Sequence, residues 1–250
     1  MSAPVAIVTG GAGALGVAIA TTLLDDGFRV ALFDRRGAAD AADRLARTGE
    51  AIGVEADVSD EESVRAAVER VDTTWGRVDA LVNNAGIEPA HSLEGMELGT
   101  WQATLDVNLT GPALMIKHCV PMWRRQGGGR VVSIGSRVWL GGGWTPAYSA
   151  SKAGLVGLTR TACRELGPLG VTVNVVAPSF LHTAFNAQKA EAAFLDSYVG
   201  RFAEASPLGR LVEPVDVANA VAFLVSDRAR NITGEVLHVA AGTQLAPAVQ

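Results

Sequence analysis

The sequence has little cysteine and no hydrophobic stretch long enough to cross a membrane. Its 250 residues contain two cysteines, Cys119 and Cys163, too few for a disulfide framework. The longest apolar runs are of strand length, such as the one that ends at Val8, whereas a membrane-spanning helix needs about 20 apolar residues. The first strand-like run begins near Val5, which leaves no room for a signal peptide. We therefore expect a cytoplasmic protein with no membrane partner.

Charge and metal-binding patterns are also sparse. The net charge is −5 and the isoelectric point about 5.4, which argues against a protein that grips a nucleic-acid backbone. None of the three lysines follows a glycine, so the phosphate-binding loop of nucleotide hydrolases is absent. The histidines His91, His118, His182 and His238 show no metal-ligand spacing. We expect no nucleic-acid partner and no catalytic metal.

What the sequence does contain is a regular alternation of apolar strand-like runs and alanine-rich helical segments. This pattern indicates a parallel sheet covered on both faces. We predict an α/β fold, with residues 1–250 forming a single Rossmann-type domain around a doubly wound parallel seven-stranded sheet. The predicted strands are Val5–Thr9, Arg29–Phe33, Ala51–Val54, Ala80–Asn83, Arg130–Ile134, Thr172–Ala177 and Val236–Val239. The predicted helices include Leu15–Asp26, Asp40–Thr48, Asp60–Trp75, Tyr148–Leu166 and Val215–Val225.

Two local features refine this prediction. Ser59 and Glu62 have the spacing of a capping box before the third helix. Residues about 179–213 interrupt the alternation between the sixth and seventh strands. Ligands of such sheets bind at the carboxyl ends of the strands, so we predict that this insertion is a substrate lid.

A glycine-rich turn joins the first strand to the first helix. It reads T-G-G-A-G-A-L-G, from Thr9 to Gly16. Glycines permit a tight turn and a close approach of the backbone to a pyrophosphate, and the helix N-terminus supplies N–H groups and partial positive charge. A second strand that ends in an acid follows, as a dinucleotide site requires. The turn therefore predicts dinucleotide binding.

The acid at the end of the second strand is Asp34. A carboxylate there can accept hydrogen bonds from both hydroxyls of the adenosine ribose and would repel a 2′-phosphate. Asp34 therefore favours NAD over NADP as the cofactor. Arg35 and Arg36 follow directly and leave two interpretations open, a solvated turn or a contact with a 2′-phosphate.

Tyr148 and Lys152 stand four residues apart in the helical run Y-S-A-S-K. At that spacing both side chains lie on one face of a helix. The phenol of tyrosine has a pKa near ~10, too high for a base at neutral pH. A nearby ammonium favours the phenolate and lowers the pKa, so the pair predicts a general acid/base for a hydroxyl or carbonyl group.

Further motifs follow in order along the chain. They are Asn83-Asn84-Ala85-Gly86 after the fourth strand, Asn108 in V-N-L-T-G, Ser136 in S-I-G-S, and N-V-V-A-P from Asn174 to Pro178. Together with the glycine-rich turn and Y-S-A-S-K they cover nearly the whole chain. The sequence resembles the short-chain dehydrogenase/reductase superfamily.

The resemblance implies a role for each motif. In the catalytic set, Tyr148 would be the acid/base, Lys152 would hold the nicotinamide ribose and lower the pKa of Tyr148, and Ser136 would bind the substrate oxygen. Asn108 would kink its helix and hold a water that relays protons from Lys152. The cofactor-binding set would be Gly10, Ala12, Ala14, Leu15, Gly16, Asp34, Arg35, Asp57, Val58, Asn84, Ala85, Gly86, Pro178, Leu181 and Thr183, together with Tyr148 and Lys152. Asp57 and Val58 would flank adenine, and Leu181 and Thr183 would meet the nicotinamide carboxamide. The resemblance also implies a homotetramer, with helices near 100–126 and 148–166 at one interface.

Substrate contacts are predicted from residues near the catalytic motifs. Trp139 and Trp144 lie in the loop after Ser136, and Arg137 could anchor a carboxylate. The remaining candidates are Phe180, His182 and Phe185 on the far side and His91 after the fourth strand. They would frame a largely apolar pocket, although each aromatic could equally serve in packing or at an interface.

These features predict an oxidoreductase that transfers hydride between NAD(H) and a secondary alcohol or ketone. An alternative is an NADPH-dependent 3-ketoacyl carrier-protein reductase, which the resemblance also covers. Asp34 disfavours it, and so does Leu169, which stands where that group has a docking arginine. A third interpretation is a catalytically silent dinucleotide-binding sensor or scaffold. The fold would permit it, but the complete set of catalytic residue types argues against it.

Overall fold

The computed structural model of the chain describes residues 2–143, 145–181 and 192–245, with side chains of the last range described from residue 199 onward. Its centre is a seven-stranded sheet in the order β3-β2-β1-β4-β5-β6-β7, and every neighbouring pair is parallel. The predicted doubly wound parallel sheet is therefore confirmed. The order reverses between β1 and β4, which is the place where such sheets bind ligands.

The strands lie where the alternation of the sequence places them. They are β1 Val5–Thr9, β2 Arg29–Asp34, β3 Ala51–Glu55, β4 Ala80–Asn83, β5 Gly129–Ile134, β6 Val171–Pro178 and β7 Val236–Val239. Three match the predicted bounds, and the others are longer by one or two residues. The extra residues lie at strand ends, where backbone pairing continues past the apolar run.

The helices described are α1 Ala14–Asp25, α2 Ala38–Leu45, α3 Glu61–Trp75, α4 Leu98–Leu105, α5 Gly111–Gln126, α6 Val138–Gly141, α7 Pro146–Leu166, α8 Ala192–Ala205 and α9 Pro214–Val225. A π-helical turn, Asp106–Thr110, joins α4 to α5, and short 3₁₀ turns occupy Gly167–Leu169 and Asp227–Ala229. None of the helices in the described ranges combines the length and the apolar character needed to span a bilayer.

Both faces of the sheet are buried under helices. In β1, Ala6 and Val8 pack into the core on the α1 and α9 side. Val5 and Ile7 pack into the opposite core, which is covered by α3 and α5. Because successive side chains of a strand point to opposite faces, a strand with two buried faces is expected to be apolar along its length, as β1 is from Val5 to Val8.

The start of α3 differs from the prediction by one residue. The cap is Asp60, whose Oδ1 accepts the N–H groups of Glu62 at 2.9 Å and Ser63 at 3.2 Å. The hydroxyl of Ser59 instead donates to Asp57 at 2.6 Å. The capping box predicted for Ser59 and Glu62 is therefore wrong. Aspartate is as good a cap as serine, and sequence spacing alone could not choose between adjacent residues.

Candidate active site

The glycine-rich turn leaves no room for side chains at three positions, Gly10, Gly11 and Gly16; a Cβ atom at Gly11 would lie 2.8 Å from Cβ of Leu32. A Cβ atom at Gly16 would lie 2.2 Å from the carbonyl oxygen of Gly10. Gly10 itself has a φ of +63°, and a Cβ there would lie 2.9 Å from Cα of Ala85. The N–H of Gly13 donates to the Gly10 carbonyl at 3.2 Å and closes the turn. The turn is thus built from backbone alone, as a close approach by a ligand requires.

The N-terminus of α1 fits the pyrophosphate of a dinucleotide. Its cap residue is Gly13, no side chain caps the first turn, and that turn contains no acidic residue. By contrast, α3 is capped by Asp60 and begins with Glu61 and Glu62. Uncapped N–H groups and the positive end of the helix dipole favour a bound anion. The two predicted contacts Ala14 and Leu15 are the first residues of this helix.

The carboxylate of Asp34 lies beside the same turn. Asp34 is the last residue of β2, and its Oδ2 accepts the N–H of Ala12 at 3.1 Å. The next residue, Arg35, is close enough to Asp57 to lower the pKa of its carboxyl group. Burial raises that pKa, but hydrogen bonds from Ser59 and the charge of Arg35 outweigh it. The predicted acids and Arg35 therefore cluster at one end of the turn.

Asn84 braces the turn instead of only lining a groove. Its Nδ2 donates to the carbonyl oxygens of Thr9 at 2.9 Å and Gly10 at 3.1 Å. The hydroxyl oxygen of Thr9 accepts the N–H groups of Asn84 and Ala85 at 2.9 and 3.0 Å. These bonds tie the end of β4 to the end of β1 at the point where the strand order reverses.

Two predicted cofactor contacts have side chains that face the core. Val58 is 7% exposed and packs where α5 begins, at Gly111. Leu181 is also 7% exposed and pairs by a backbone bridge with Val212. Contacts of these two residues with a cofactor would therefore go mainly through their backbone. Pro178 ends β6, and its carbonyl accepts the N–H of Arg137 at 3.0 Å.

Asn108 lies in the π-helical turn and is 1% exposed. Its Oδ1 accepts the N–H of Ile87 at 2.8 Å, and its Nδ2 donates to the Ile87 carbonyl at 2.9 Å. The same Nδ2 lies 3.1 Å from the hydroxyl of Ser151 on α7. The predicted irregular helix is therefore present, and the side chain joins the loop after β4 to α7. Gly86 lies between Asn108 and Lys152.

Tyr148 and Lys152 occupy one face of α7, as their spacing predicts. Nζ of Lys152 lies 5.3 Å from the ring centre of Tyr148 and donates to the carbonyl of Ile134 at 2.7 Å. The Tyr148 phenol forms a hydrogen bond with the side chain of Ser136, which follows β5. The structure thus brings together the four predicted catalytic residues at the carboxyl ends of β4 and β5.

The protonation energetics differ from the sequence-based prediction. Burial raises the pKa of Tyr148 above its usual value, the charge of Glu88 raises it further, and the hydrogen bond with Ser136 lowers it. Part of the tyrosine remains accessible to solvent. Burial also lowers the pKa of Lys152 to about 8, against the opposing effect of Glu88. Among the protein's own groups the hydrogen bond with Ser136 lowers the pKa of Tyr148, and the predicted lowering by Lys152 stays a prediction.

Glu88 is the residue of this site that sequence reasoning missed. It stands two residues after Gly86, and its Oε1 accepts the hydroxyl of Thr145 at 2.9 Å. Its charge acts on both Tyr148 and Lys152. The only signal in the sequence is an acidic residue directly after the N-N-A-G-I run, on a loop that the parallel topology carries to the ligand-binding edge.

The predicted substrate residues fall into separate groups. The guanidinium of Arg137 lies 5.3 Å from the ring centre of Phe202, and Phe180 packs on the same ring at 5.3 Å. Trp139 instead donates from Nε1 to His238 at 3.1 Å and stacks on it, so its predicted substrate contact competes with packing against β7.

Of the remaining substrate candidates, only His91 lies within the described residues. His91 has Nδ1 at 3.3 Å from the carbonyl of Ser92, and its ring sits in the loop that carries Glu88. Trp144, His182, Thr183 and Phe185, like much of the predicted lid, lie outside the described residues. Among the residues that are described, no cluster of three or more histidine, cysteine or acidic side chains could hold a metal ion.

Comparison with known proteins places the chain among dehydrogenases and reductases. A family model described as enoyl-(acyl carrier protein) reductase matches residues 10–244. The Thauera aromatica protein (2S)-[(R)-hydroxy(phenyl)methyl]succinyl-CoA dehydrogenase subunit BbsD is 36% identical over 246 residues, covering 96% of each chain. The 3-oxoacyl-(acyl-carrier-protein) reductase FabG of Escherichia coli (strain K12) is 37% identical over 241 residues, covering 95% of this chain and 96% of the relative. The crystal structure of levodione reductase superposes with a TM-score of 0.90 at 32% identity and 98% coverage of both chains.

Proposed function

Because this chain belongs to the short-chain dehydrogenase/reductase superfamily, we propose that it transfers hydride between NAD(H) and the carbinol carbon of a secondary alcohol or the matching ketone. It is an oxidoreductase of that family. The observation that carries the proposal is the contact of Tyr148 with Ser136 beside the buried ammonium of Lys152. This arrangement can bind a substrate oxygen and exchange a proton with it.

Each residue of the site would have its own role in the reaction. Ser136 and the Tyr148 hydroxyl would hold the substrate oxygen, and Tyr148 would take or return its proton. The Ser136 hydrogen bond stabilises the phenolate that oxidation of an alcohol requires. Lys152, fixed on the Ile134 carbonyl, would supply hydrogen-bond donors to a ribose. A bound nicotinamide would accept or give the hydride at carbon 4.

Asn108 would act through the residues it holds. Its paired bonds with Ile87 fix the loop after β4, and its contact with Ser151 fixes that loop against α7. The loop and the helix carry the two sides of the proposed site. We propose Asn108 as a positioning residue for Lys152 and Tyr148.

We propose NAD as the cofactor because of the place of Asp34. Its carboxylate stands at the end of β2 and touches the glycine-rich turn through Ala12. There it can accept bonds from ribose hydroxyls and repels a 2′-phosphate. Arg35 and Arg36 are the neighbouring cations that could offset that repulsion; the charge of Arg35 also acts on Asp57, and the backbone N–H of Arg36 donates to the Asp34 carboxylate at 3.5 Å.

A second candidate, an NADPH-dependent 3-ketoacyl carrier-protein reductase, is favoured by one comparison. The Escherichia coli relative at 37% identity is a 3-oxoacyl-(acyl-carrier-protein) reductase. Asp34 and Leu169 argue against this activity for the present chain, since neither supplies a cation to a phosphate or an acidic carrier protein. Reduction of an acetoacetyl thioester with NADPH, compared with NADH, separates the two candidates.

We also propose a cytoplasmic homotetramer with α5 and α7 at one interface. Both helices lie on the surface of the single chain, and the last turn of α5 presents Arg124 and Arg125 to solvent. A solution mass of about four times the 25.9 kDa chain is expected. A mass near that of one chain would contradict the proposed tetramer but would leave the proposed hydride transfer unaffected.

The test of the function is absorbance at the NADH band. The protein is mixed with aryl carbinols, cyclic diols, steroids, sugar alcohols and hydroxy acids, each with NAD and with NADP, beside Tyr148→Phe. We expect turnover with NAD that the variant loses by about 100-fold or more while still binding NADH, as is usual for loss of a general acid/base. Turnover only with NADP would favour the reductase, and activity retained in Tyr148→Phe would remove that residue from its role.

A further inference from the structure

Ser151 is a buried serine of α7 whose hydroxyl has no step in the proposed hydride transfer. It lies three residues after Tyr148 and directly before Lys152, and it is 0% exposed. Its Oγ donates to the carbonyl oxygen of Tyr148 at 2.7 Å and lies 3.1 Å from Nδ2 of Asn108. One hydroxyl therefore contacts both the π-helical turn and the turn of α7 that carries the acid/base.

The direction of each hydrogen bond in this group is fixed by the chemistry of its partners. The backbone N–H of Ile87 can only donate, so the atom of the Asn108 amide that it meets at 2.8 Å is the oxygen. The two N–H groups on Nδ2 then donate to the Ile87 carbonyl and to Ser151. A hydroxyl has one proton, and that of Ser151 goes to the Tyr148 carbonyl. The hydrogen bonds thus run in one direction from Asn108 through Ser151 to Tyr148.

Packing brings α7 and the π-helical turn close together at the same place. A Cβ atom at Gly154 would lie 2.8 Å from Cδ2 of Leu109, so the glycine allows an approach that a side chain would prevent. Asn108 and Leu109 both belong to the π-helical turn, and such turns are frequent at functional sites. Apolar packing and the hydrogen bonds of Ser151 therefore hold the same two segments together.

The Tyr148 carbonyl accepts the Ser151 hydroxyl within the helical turn that ends at Lys152. In an α-helix the same carbonyl also accepts the backbone N–H of Lys152, and its oxygen has two lone pairs. A serine that donates to a carbonyl of the preceding turn often bends its helix. The hydroxyl of Ser151 therefore affects the orientation of the one turn that carries both Tyr148 and Lys152.

The contact with Asn108 distinguishes Ser151 from a serine that only satisfies its own hydroxyl. A bond to the preceding turn would be enough for that purpose. Asn108 is 1% exposed, so loss of the Ser151 hydroxyl would leave a buried N–H of the amide without its partner. The same loss would remove the hydrogen bonds that connect the Tyr148 carbonyl to the loop after β4 through Asn108.

We propose that Ser151 is a positioning residue that holds the Tyr148–Lys152 turn of α7 against Asn108. This inference rests on the proposed function of the same site and deepens it by adding a residue to the machinery of proton exchange. Ser151 acts only through the residues it holds. Its loss should therefore slow the reaction and leave binding of the cofactor by the glycine-rich turn intact.

The experiment compares Ser151→Ala, which removes the hydroxyl, with Ser151→Thr, which keeps one that can bond to the preceding turn. The control is Ser149→Ala, because Ser149 lies on the same turn and its buried hydroxyl has no hydrogen-bond partner in the described part of the chain. The constants kcat and KM are measured across pH with NAD and an alcohol that the wild type oxidises. Values of kcat are expressed per NADH-binding site, so that a loss of folded protein cannot imitate a loss of positioning.

We expect kcat of Ser151→Ala to fall by about 10-fold to 100-fold, the scale of a misplacement of ~1 Å at the reacting groups. KM and NADH affinity should stay within about threefold of wild type, because the lost interaction acts on the reacting step. The rise of kcat with pH should move to higher pH, because Tyr148 is held less well against Ser136, whose hydrogen bond lowers the Tyr148 pKa. Ser151→Thr and Ser149→Ala should retain kcat within about threefold.

Hydrogen exchange of α7 in the NADH-bound protein provides a measurement that needs no turnover. Amides in the first two turns of α7 should exchange about 5-fold to 10-fold faster in Ser151→Ala than in Ser149→Ala, which is the value of one hydrogen bond expressed as an opening equilibrium. Equal exchange rates in the two variants overturn the inference.

Failure of this inference and failure of the proposed function give different results. A wild-type kcat and pH profile in Ser151→Ala, or equal losses in Ser151→Ala and Ser151→Thr, overturn the positioning role and leave the proposed function standing. The absence of turnover with every alcohol in the wild type refutes the proposed function. The exchange rates then decide separately whether Ser151 holds the turn.

Discussion

Replacement of Asp34 by asparagine should change the cofactor preference of the protein from NAD toward NADP. The substitution keeps the shape of the side chain and an oxygen that can accept the N–H of Ala12, which the wild-type carboxylate binds at 3.1 Å. The glycine-rich turn should therefore stay intact. What is lost is the negative charge at the end of β2, so any effect reports electrostatics and not a collapse of the site.

The magnitude follows from two contributions. Hydrogen bonds from ribose hydroxyls to a charged acceptor are worth about 1.5–3 kcal/mol and those to a neutral acceptor about 1 kcal/mol, so NAD should lose roughly 1–2 kcal/mol. A unit charge pair about 5 Å apart in water-like surroundings repels by about 0.8 kcal/mol, and a phosphate carries nearly two charges. NADP should therefore gain roughly 1.5 kcal/mol, and the preference should shift by about 3 kcal/mol, or ~100-fold.

The assay is kcat/KM for NAD and for NADP with one alcohol at saturation, at two salt concentrations. The control is Asp43→Asn, which removes the same charge from an exposed position on α2. The repulsive part of the effect should shrink at high salt, because screening weakens interactions between accessible charges. A cofactor ratio that stays within about threefold of wild type would refute the reasoning that Asp34 selects NAD, because about 3 kcal/mol predicts far more.

Three further predictions concern the framework of the site. Gly16→Ala should abolish NADH binding and lower the unfolding temperature, because its Cβ would lie 2.2 Å from a backbone oxygen. A Cβ at Gly13 would lie 3.4 Å from its nearest neighbour, so Gly13→Ala should bind NADH within about threefold of wild type. Equal losses in the two variants, measured by fluorescence titration and thermal unfolding, would contradict this prediction. Asn108→Ala should destabilise the fold by about 2–4 kcal/mol in denaturant titrations, because it removes a buried side chain and leaves the part-buried N–H and carbonyl of Ile87 without their partner. A cost under about 0.5 kcal/mol would show that these hydrogen bonds are dispensable. Lys152→Met should be more stable than wild type near pH 7 by roughly 2–3 kcal/mol, because burial lowers the lysine pKa to about 8 and the charged ammonium therefore destabilises the folded state. That advantage should fall as the pH rises from about 8 toward ~10.4, where the folded state has released a proton that the unfolded chain keeps, and a pH-independent difference would refute it.

The central strands of this fold were predictable because they are buried on both faces and mostly apolar. A buried parallel strand must present apolar side chains to two cores, as residues 5–8 of β1 do. The sequence of such a strand is therefore a continuous apolar run. The glycine-rich turn was predictable for a similar reason. The geometry of the turn excludes a side chain at Gly16. Only glycine fits that position, so the turn can be recognised from its glycines in the sequence.

The start of α3 and the pKa values were not predictable in the same way. Ser59 and Asp60 are both good caps, and only the backbone conformation decided that Asp60 fills the position. The spacing of Tyr148 and Lys152 placed them together, but the direction of the tyrosine pKa depends on the burial of its phenol and on charges brought in by distant segments.

The sequence by itself thus determined the layered α/β sheet, the dinucleotide turn and the catalytic set, because each depends on local residue types and on periodicity along the chain. Tertiary structure alone decided that Glu88 meets Thr145 across 57 positions of sequence and that Trp139 turns to His238 on the last strand. These contacts form because the carboxyl ends of parallel strands bring loops that are distant in sequence to the same edge of the sheet. No pattern within either loop encodes its partner, so only the folded chain could reveal the carboxylate beside the acid/base.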